Sequence, residues 1–466
     1  MFYGALMLGG DWGLSLLKAA MLGLMIAGAF WAARLHRVSV LLPAGLMLLG
    51  SPFLLAGLVA AGRPQLFTFC LLPGLLAWLE HVRLSGRLRR LWLVPAVGLV
   101  WANLHGGFVA GLALVLCYGL GEALRKKPWL PYVLAAAAWT AATALNPYGL
   151  GYWRFLAHAL SLAREEILEW APFPPWAPHL GLLKLAVVCA FGAIPLVFNR
   201  LARRGSWRDL PWPQLLVLAA TSWQGLRAQK LIPLAVLAAA CCLPAVLAWA
   251  WPGIREKPDQ KVSWLGPAAA GAAGLLFALF CWSDMRPRFQ PWQVQVRGRD
   301  YPKEYQQGIR SHPVEAVRFL EGSGGSGNLW TEFAVGEFAF WRLYPRFLVS
   351  LDGRLECVYP EEVFRRELRA SWDPETARRS LERADWALLG RGTGMYDVLR
   401  ESRLWRPAYE DETYAVFRRA SVPAPTGTQE GDDSRAGWWP VSAFFHPERD
   451  RARFQAYGVA AVRRGP

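Results

Sequence analysis

The polar residues best suited to chemistry lie in short breaks between long apolar runs. One break, Trp101 to Phe108, places Asn103, His105 and two glycines inside the apolar run from Leu91 to Leu124. A polar group left without a hydrogen-bond partner in lipid costs on the order of several kcal/mol. We therefore expect this break to lie at a membrane edge or to line a water-filled cavity.

A second break puts two cations and two amides beside the start of an apolar run. It extends from Trp223 to Lys230 and contains Gln224, Arg227 and Gln229. A guanidinium group binds phosphate as a planar fork and an ammonium group binds it as a point charge. The same residues also suit ordinary anchoring at the membrane interface, with their charged ends reaching water. Both interpretations stay open from the residues alone.

The composition predicts a membrane half followed by a water-soluble half. The chain has 466 residues, of which 54% are hydrophobic and 18% are charged, and its mean hydropathy is +0.20. Residues 12–283 are mostly apolar, whereas most acidic residues follow residue 284. A net charge of +16 is compatible with nucleic-acid binding, but the basic residues of the apolar half lie in short loops. That placement favours a membrane-topology signal over a nucleic-acid partner.

The apolar segments predict about ten transmembrane helices. Several are shorter than the roughly 20 residues that span a bilayer, so their existence is better defined than their ends. The segments are 13–33, 39–61, 66–80, 91–104, 108–124, 129–145, 180–198, 211–222, 230–251 and 263–283.

The loops between these segments alternate in positive charge. One set carries 16 basic residues, and the opposite set carries five up to residue 230. Because positively charged loops stay in the cytoplasm, both polar breaks and the long loop 146–179 are predicted on the outer face. The N-terminus and the domain after residue 284 are predicted on the same face.

The polar half predicts a small extracytoplasmic α/β domain over 284–420 and a mostly disordered tail over 421–466. Strand-like and helix-like patterns alternate from residue 313 onward. The predicted strands are 329–333, 347–351, 386–389, 405–409 and 414–417. The tail is rich in Pro, Gly, Asp and Arg. No cysteine or histidine spacing in the sequence is typical of a metal site.

A series of motifs resembles bacterial membrane proteins of the C-type (GT-C) glycosyltransferase superfamily, usually described as mannosyltransferase-like or galacturonosyltransferase-like. The resemblance covers most of residues 1–420. The motifs that carry it are RPQLFTF at 63–69, WANLHGGF at 101–108, LNPYG at 145–149, EW at 169–170, GEFAFWRLYP at 336–345 and LDGR at 351–354.

The resemblance implies sugar transfer from a polyprenyl-phosphate donor to an envelope acceptor, on the outer face of the bacterial inner membrane. Its partners would be membrane lipid, the donor and the acceptor, and it leaves a divalent metal open as a cofactor. The implied contacts to the donor phosphate are Arg227, Lys230 and Arg63. The implied lining of the sugar or acceptor cavity is Asn103, His105, Asn146, Tyr148 and Gln224.

The sequence departs from the superfamily at the catalytic acid. Such enzymes carry an Asp or Glu in the first outer loop, where it takes a proton from the acceptor hydroxyl, and Asp11 does not match that position. Residues 1–33 resemble the second helix of a fuller protein, so one helix and its acidic loop are expected to be missing. Either translation starts at an internal methionine of a longer gene, or this is a short form without the base. The other outer acids are Glu165, Glu166 and Glu169, which also fit a solvated helix end.

Two functions from other classes remain. A non-catalytic membrane scaffold would use the outer α/β domain to bind a partner in envelope polysaccharide assembly. A transporter would need ionisable groups inside the membrane. The sequence argues against a transporter because Lys18 and Lys184 lie near segment ends and no buried acid is predicted to pair with them.

Overall fold

The fold is taken from a computed structural model of the chain. It describes residues 1–51, 53–54, 64–161, 170, 172, 206–256, 312–353, 359–370 and 373–420. The chain divides into two compact units, Met1–Tyr301 and Pro302–Pro466. The predicted domain boundary at residue 283 and the predicted tail 421–466 both lie outside the described residues.

The described part of the first unit is helical. Its helices are α1 (Phe2–Leu35), α2 (Leu41–Leu49), α3 (Gln65–Ser85), α4 (Leu93–Ala102), α5 (Phe108–Leu124), α6 (Leu130–Ala142), α7 (Gly151–Ser161), α8 (Trp212–Arg227) and α9 (Ile232–Ala250). Helix α1 is kinked at Gly10, whose φ of 57° lies in the left-handed region that glycine tolerates.

Three described helical segments are long and apolar enough to cross a membrane. They are Trp12–Leu35 within α1, Gln65–Ser85, and Gln229–Ala250, which joins a short 3-10 turn to α9. Two shorter apolar helices, α5 and α6, lie between them in the chain. The predicted segments 180–198 and 263–283 are outside the described residues, so the total of about ten helices stays a prediction.

The first unit packs around α3, α5 and two buried tryptophans. Helix α1 packs on α3, α8 packs on α5 and α9, and α4 packs on α6. The rings of Trp101 and Trp139 are fully buried and meet edge to face, with centroids 6.0 Å apart. Glycine provides the space, because a Cβ on Gly98 would lie 2.5 Å from the Trp139 ring.

The second unit is built on a five-stranded mixed sheet. The strand order is β2-β1-β3-β5-β4, with β1 parallel to β2 and β3, and β5 antiparallel to β3 and β4. The strands are β1 (Gly327–Thr331), β2 (Phe347–Val349), β3 (Trp386–Gly390), β4 (Trp405–Glu410) and β5 (Tyr414–Arg419). The helices are α10 (Val314–Gly322), α11 (Phe333–Leu343), α12 (Glu361–Arg369), α13 (Pro374–Leu381) and α14 (Gly394–Glu401).

The α/β alternation predicted for this unit is present, with one element missed. The predicted first strand ran to Phe333, but β1 ends at Thr331 and Phe333 begins α11. Helix α11 crosses from β1 to the parallel strand β2. Tertiary packing fixes its position, because a Cβ on Gly336 would overlap the carbonyl oxygen of Leu351. A local sequence pattern does not reveal that contact.

Close packing of α1 on α3 should make Gly28 intolerant of a methyl group. A Cβ there would lie 2.7 Å from the backbone nitrogen of Gly74 and 2.8 Å from the Pro73 carbonyl carbon. We expect Gly28→Ala to be less stable than Gly23→Ala by about 1–3 kcal/mol, the usual cost of overpacking. The measurement is thermal unfolding of both variants in the same detergent.

Gly23 is the matched control because it lies in the same helix and a Cβ there meets nothing within 4 Å. Both variants gain similar helix propensity on losing a glycine, so the difference reports the contact with α3. Equal stability of the two variants would contradict this packing.

Candidate functional site

The turn between α4 and α5 holds His105 against α3. The His105 Nδ1 atom lies 2.8 Å from the hydroxyl oxygen of Thr68 and accepts a hydrogen bond of 3.0 Å from the backbone N–H of Gly107. The indole N–H of Trp101 donates to the same Thr68 oxygen at 3.0 Å. The imidazole is therefore fixed at one edge by side-chain and backbone groups from α3 and the turn.

His105 is held as a neutral ring beside a cation. Burial, and secondarily the positive charge of Lys230, lowers the pKa of His105 to about 4. The Lys230 ammonium also lies over the Trp170 ring, 4.7 Å from its centroid, an arrangement in which the ring face attracts the cation. The structure thus brings together two predicted site residues, one neutral and one charged.

The amide of Asn103 serves the backbone. Its Nδ2 donates to the carbonyl oxygen of Leu99 at 2.9 Å and to that of Leu145 at 3.2 Å. It ties the end of α4 to the segment that follows α6. A structural role accounts for both contacts.

Asn146 forms a turn rather than presenting its amide. The backbone N–H of Tyr148 donates to Asn146 Oδ1 at 2.7 Å, and Asn146 Nδ2 donates to the carbonyl oxygens of Thr143 and Gly149. This is the Asx-type turn expected of Asn-Pro-Tyr-Gly. The exposed ring of Tyr148 lies 5.9 Å from the ring of Tyr152.

Gln224 and Arg227 lie in the last turn of α8 with exposed side chains. The turn that follows is tight, because a Cβ on Gly225 would lie 3.4 Å from Ile232 Cα. Within the described part of the chain, Arg227 forms no ion pair. The structure shows no contact from either side chain to His105, so their predicted roles stay predictions.

The structure describes the side chains of none of the predicted acids, nor that of the third predicted cation. Arg63, Glu165, Glu166 and Glu169 lie outside the described residues, and Asp11 is placed only as a backbone position in α1, directly after the kink. Across the described ranges, no three His, Cys, Asp or Glu side chains are grouped as a metal ion requires.

A second polar group, which sequence reasoning missed, is buried at the other end of α3. The Glu80 carboxylate accepts hydrogen bonds from three other helices or helix ends as well as from its own, at 2.5–3.2 Å. We call this group the Glu80 cluster. Its donors are His36 Nε2 after α1, Arg83 in α3, Tyr118 OH in α5 and Gln214 Nε2 in α8.

A second buried acid adjoins the Glu80 cluster. Glu122 of α5 pairs with Arg125 at 2.9 Å, and its carboxylate lies 3.9 Å from Arg83. Both acids are buried, since Glu80 is 3% exposed and Glu122 is 6% exposed, and the sequence analysis did not single out either of them. The repeated spacing Glu-x-x-Arg near the ends of two apolar runs is the signal that predicts both pairs.

Neither a scan against protein-family models nor a search of curated proteins finds a match to the chain. The functional assignment therefore depends on the residues and contacts described above. Of these, the His105–Lys230 group combines a cation with an anchored, neutral imidazole, and the Glu80 cluster is internally paired.

Loss of the Glu80 charge should destabilise the bundle strongly. Glu80→Gln removes the partner of the buried Arg83 guanidinium, and breaking a buried ion pair costs about 3–5 kcal/mol. Glu256→Gln is the matched control, because the Glu256–Arg34 pair is 40% and 44% exposed. Exposed pairs contribute about 0–1 kcal/mol. Thermal unfolding in detergent should rank Glu80→Gln far below the control, and similar unfolding temperatures would contradict the role of the cluster.

His105 should make stability depend on pH in acid. Burial lowers the pKa of His105 from 6.5 in the unfolded chain to about 4 in the folded protein, so the unfolded chain binds the proton first. Its contribution is complete above pH 6.5 and is lost as pH falls toward 4, by up to about 1.4 kcal/mol per pH unit.

The measurement is the unfolding temperature of the wild type and of His105→Gln at several pH values from 8 to 4.5. The acidic residues titrate in both proteins, so the difference between the two curves isolates the histidine. Parallel curves over the whole range would refute the shifted titration.

Proposed function

We propose that the protein is a GT-C-like membrane glycosyltransferase of the bacterial inner membrane. It takes a sugar from a polyprenyl-phosphate donor and transfers it to an envelope acceptor at the His105 end of the bundle. About ten transmembrane helices and an extracytoplasmic α/β domain complete the proposed architecture. The apolar helices and the mixed sheet of the described residues support its coarse outline.

The observation that carries the proposal is an anchored His105 imidazole at one end of an apolar bundle, close enough to Lys230 for the lysine charge to help lower its pKa. A lipid-linked phosphate needs a cation near the lipid surface, and its sugar needs hydrogen-bond donors that carry no charge. Lys230 supplies the charge, and the aromatic face of Trp170 holds its ammonium in place. His105 supplies a polar ring that stays neutral at physiological pH.

Charge placement supports an outward orientation for that end. Helix α3 carries Thr68 near its start and Glu80 near its end, about 18 Å apart at 1.5 Å per residue. The Glu80 end is followed by the basic segment 83–90, and α5 likewise ends at the basic segment 125–127. By the positive-inside rule the Glu80 end is cytoplasmic and the His105 end faces outward.

The Glu80 carboxylate does not favour the transporter alternative. An ion path needs a carboxylate with free coordination sites, whereas the Glu80 oxygens accept five hydrogen bonds. A carboxylate offers about four lone-pair positions, so this group is saturated. It is better suited to joining helices than to binding a transported ion.

Removing Lys230 should impair sugar transfer from a polyprenyl-phosphate donor. A charge-assisted hydrogen bond contributes about 1.5–3 kcal/mol, so we expect Lys230→Ala to lower kcat/KM by about 10- to 100-fold. Arg227→Ala removes another predicted contact to the phosphate, an exposed guanidinium, and should have a similar effect. The assay is transfer of a radiolabelled sugar by purified protein in lipid vesicles.

The matched control is Lys127→Ala, which removes an exposed lysine just after the other end of α5. It should transfer at the wild-type rate. Transfer unchanged by Lys230→Ala would remove this residue from the site. Absence of transfer by the wild type, together with binding of an envelope protein to the α/β domain, would favour the scaffold alternative.

A further inference from the structure

Thr68 is a buried hydroxyl with a position that packing alone does not explain. It is 3% exposed and lies in the first turn of α3, within an otherwise apolar stretch. Its oxygen accepts from the Trp101 indole and faces His105 Nδ1 at 2.8 Å. A hydroxyl can accept and donate at once, so the Thr68 O–H can donate to Nδ1, whose lone pair it shares with the Gly107 N–H.

Gly107 decides which imidazole nitrogen carries the proton. A backbone N–H can only donate, and that of Gly107 points at His105 Nδ1 from 3.0 Å. Nδ1 must therefore present its lone pair, which places the ring proton on Nε2. Nε2 lies on the edge of the ring opposite Nδ1, so its N–H is directed away from Thr68 and Gly107.

The space around this arrangement admits only glycine at position 107. A Cβ there would lie 2.7 Å from His105 Nδ1 and would overlap the Thr68 hydroxyl. The φ of Gly107 is −63°, which any residue can adopt. Close approach of the three groups, rather than backbone conformation, is thus the constraint.

We infer that Thr68 is a positioning residue that, with Gly107, holds His105 as an Nε2–H donor for an oxygen of the phosphorylated lipid. The inference rests on the proposed function for its ligand, and on the hydrogen bonds above for its geometry. Lys230 and the imidazole then offer two different donors to one phosphate group. The lysine contributes positive charge, and the histidine contributes a hydrogen bond of fixed direction from its Nε2–H.

The test compares the wild type, Thr68→Val and Thr68→Ser as full-length proteins in lipid nanodiscs. Valine keeps the shape and removes the hydroxyl, whereas serine restores it. Nitrogen-15 NMR of labelled histidine at pH 7.5 reports the protonation and hydrogen bonding of each ring nitrogen. We expect a protonated Nε2 in all three proteins, and a weaker hydrogen bond at Nδ1 in the valine variant only.

The second measurement is the affinity for a short-chain polyprenyl phosphate, with inorganic phosphate as the comparison ligand. Thr68→Val should bind the lipid phosphate about three- to tenfold more weakly, the contribution of one neutral hydrogen bond, and Thr68→Ser should bind like the wild type. Equal weakening with inorganic phosphate would assign the recognition to the phosphate group, whereas weakening with the lipid alone would assign it to the lipid-linked form.

Failure of the positioning role and failure of the proposed function would give different results in these two measurements. A wild-type ring protonated on Nδ1, or an Nδ1 signal unchanged in Thr68→Val, would overturn the positioning role whatever the ligand. The expected NMR result without binding of polyprenyl phosphate to the wild type would support the positioning role and refute the proposed function.

Discussion

The need to pair one buried carboxylate joins four of the described helices of the first unit. An isolated charge inside an apolar bundle is too costly to persist, so Glu80 must be surrounded by donors. Those donors come from the end of α1, from α3 itself, from α5 and from α8. The donor side chain of each helix reaches the carboxylate in only one rotation of the helix about its axis and at one position along it. The Glu80 cluster thereby specifies positions that non-directional apolar packing leaves free.

That constraint reaches the opposite end of the bundle through α3 and α5. Both helices run from the His105 end to the Glu80 end, so fixing Glu80 against Tyr118 also aligns their first turns. Thr68 lies in the first turn of α3 and Gly107 directly precedes α5, and both contact the imidazole of His105. One end of the bundle therefore uses its polar groups to join helices. The other end anchors the imidazole of His105 near the charge of Lys230.

Sequence patterns predicted what is local and missed what depends on distant partners. The apolar run 108–124 coincides with α5, and the sheet strands were predicted to within a few residues. The predicted apolar segment 66–80 ends before the helix α3 does. Glu80 and Arg83 resemble loop residues, because the sequence does not show that Gln214, 134 positions away, donates to the Glu80 carboxylate. His105 and Lys230 were proposed as site residues from their types, and that role stays a prediction. Thr68 was not proposed, because a single hydroxyl in an apolar run carries no signal of its partner.

The geometry also limits which steps of sugar transfer His105 can perform. A general base needs a free lone pair and a pKa near the working pH. The lone pair of Nδ1 is engaged by Gly107 and faces Thr68, and burial lowers the pKa of the ring to about 4. His105 can therefore orient a phosphate or a hydroxyl, but it cannot take the acceptor's proton. Under the proposed function, that proton must pass to a carboxylate elsewhere. The candidates are Asp11, Glu165, Glu166 and Glu169 of this sequence, or the acid of the first outer loop that the resemblance implies.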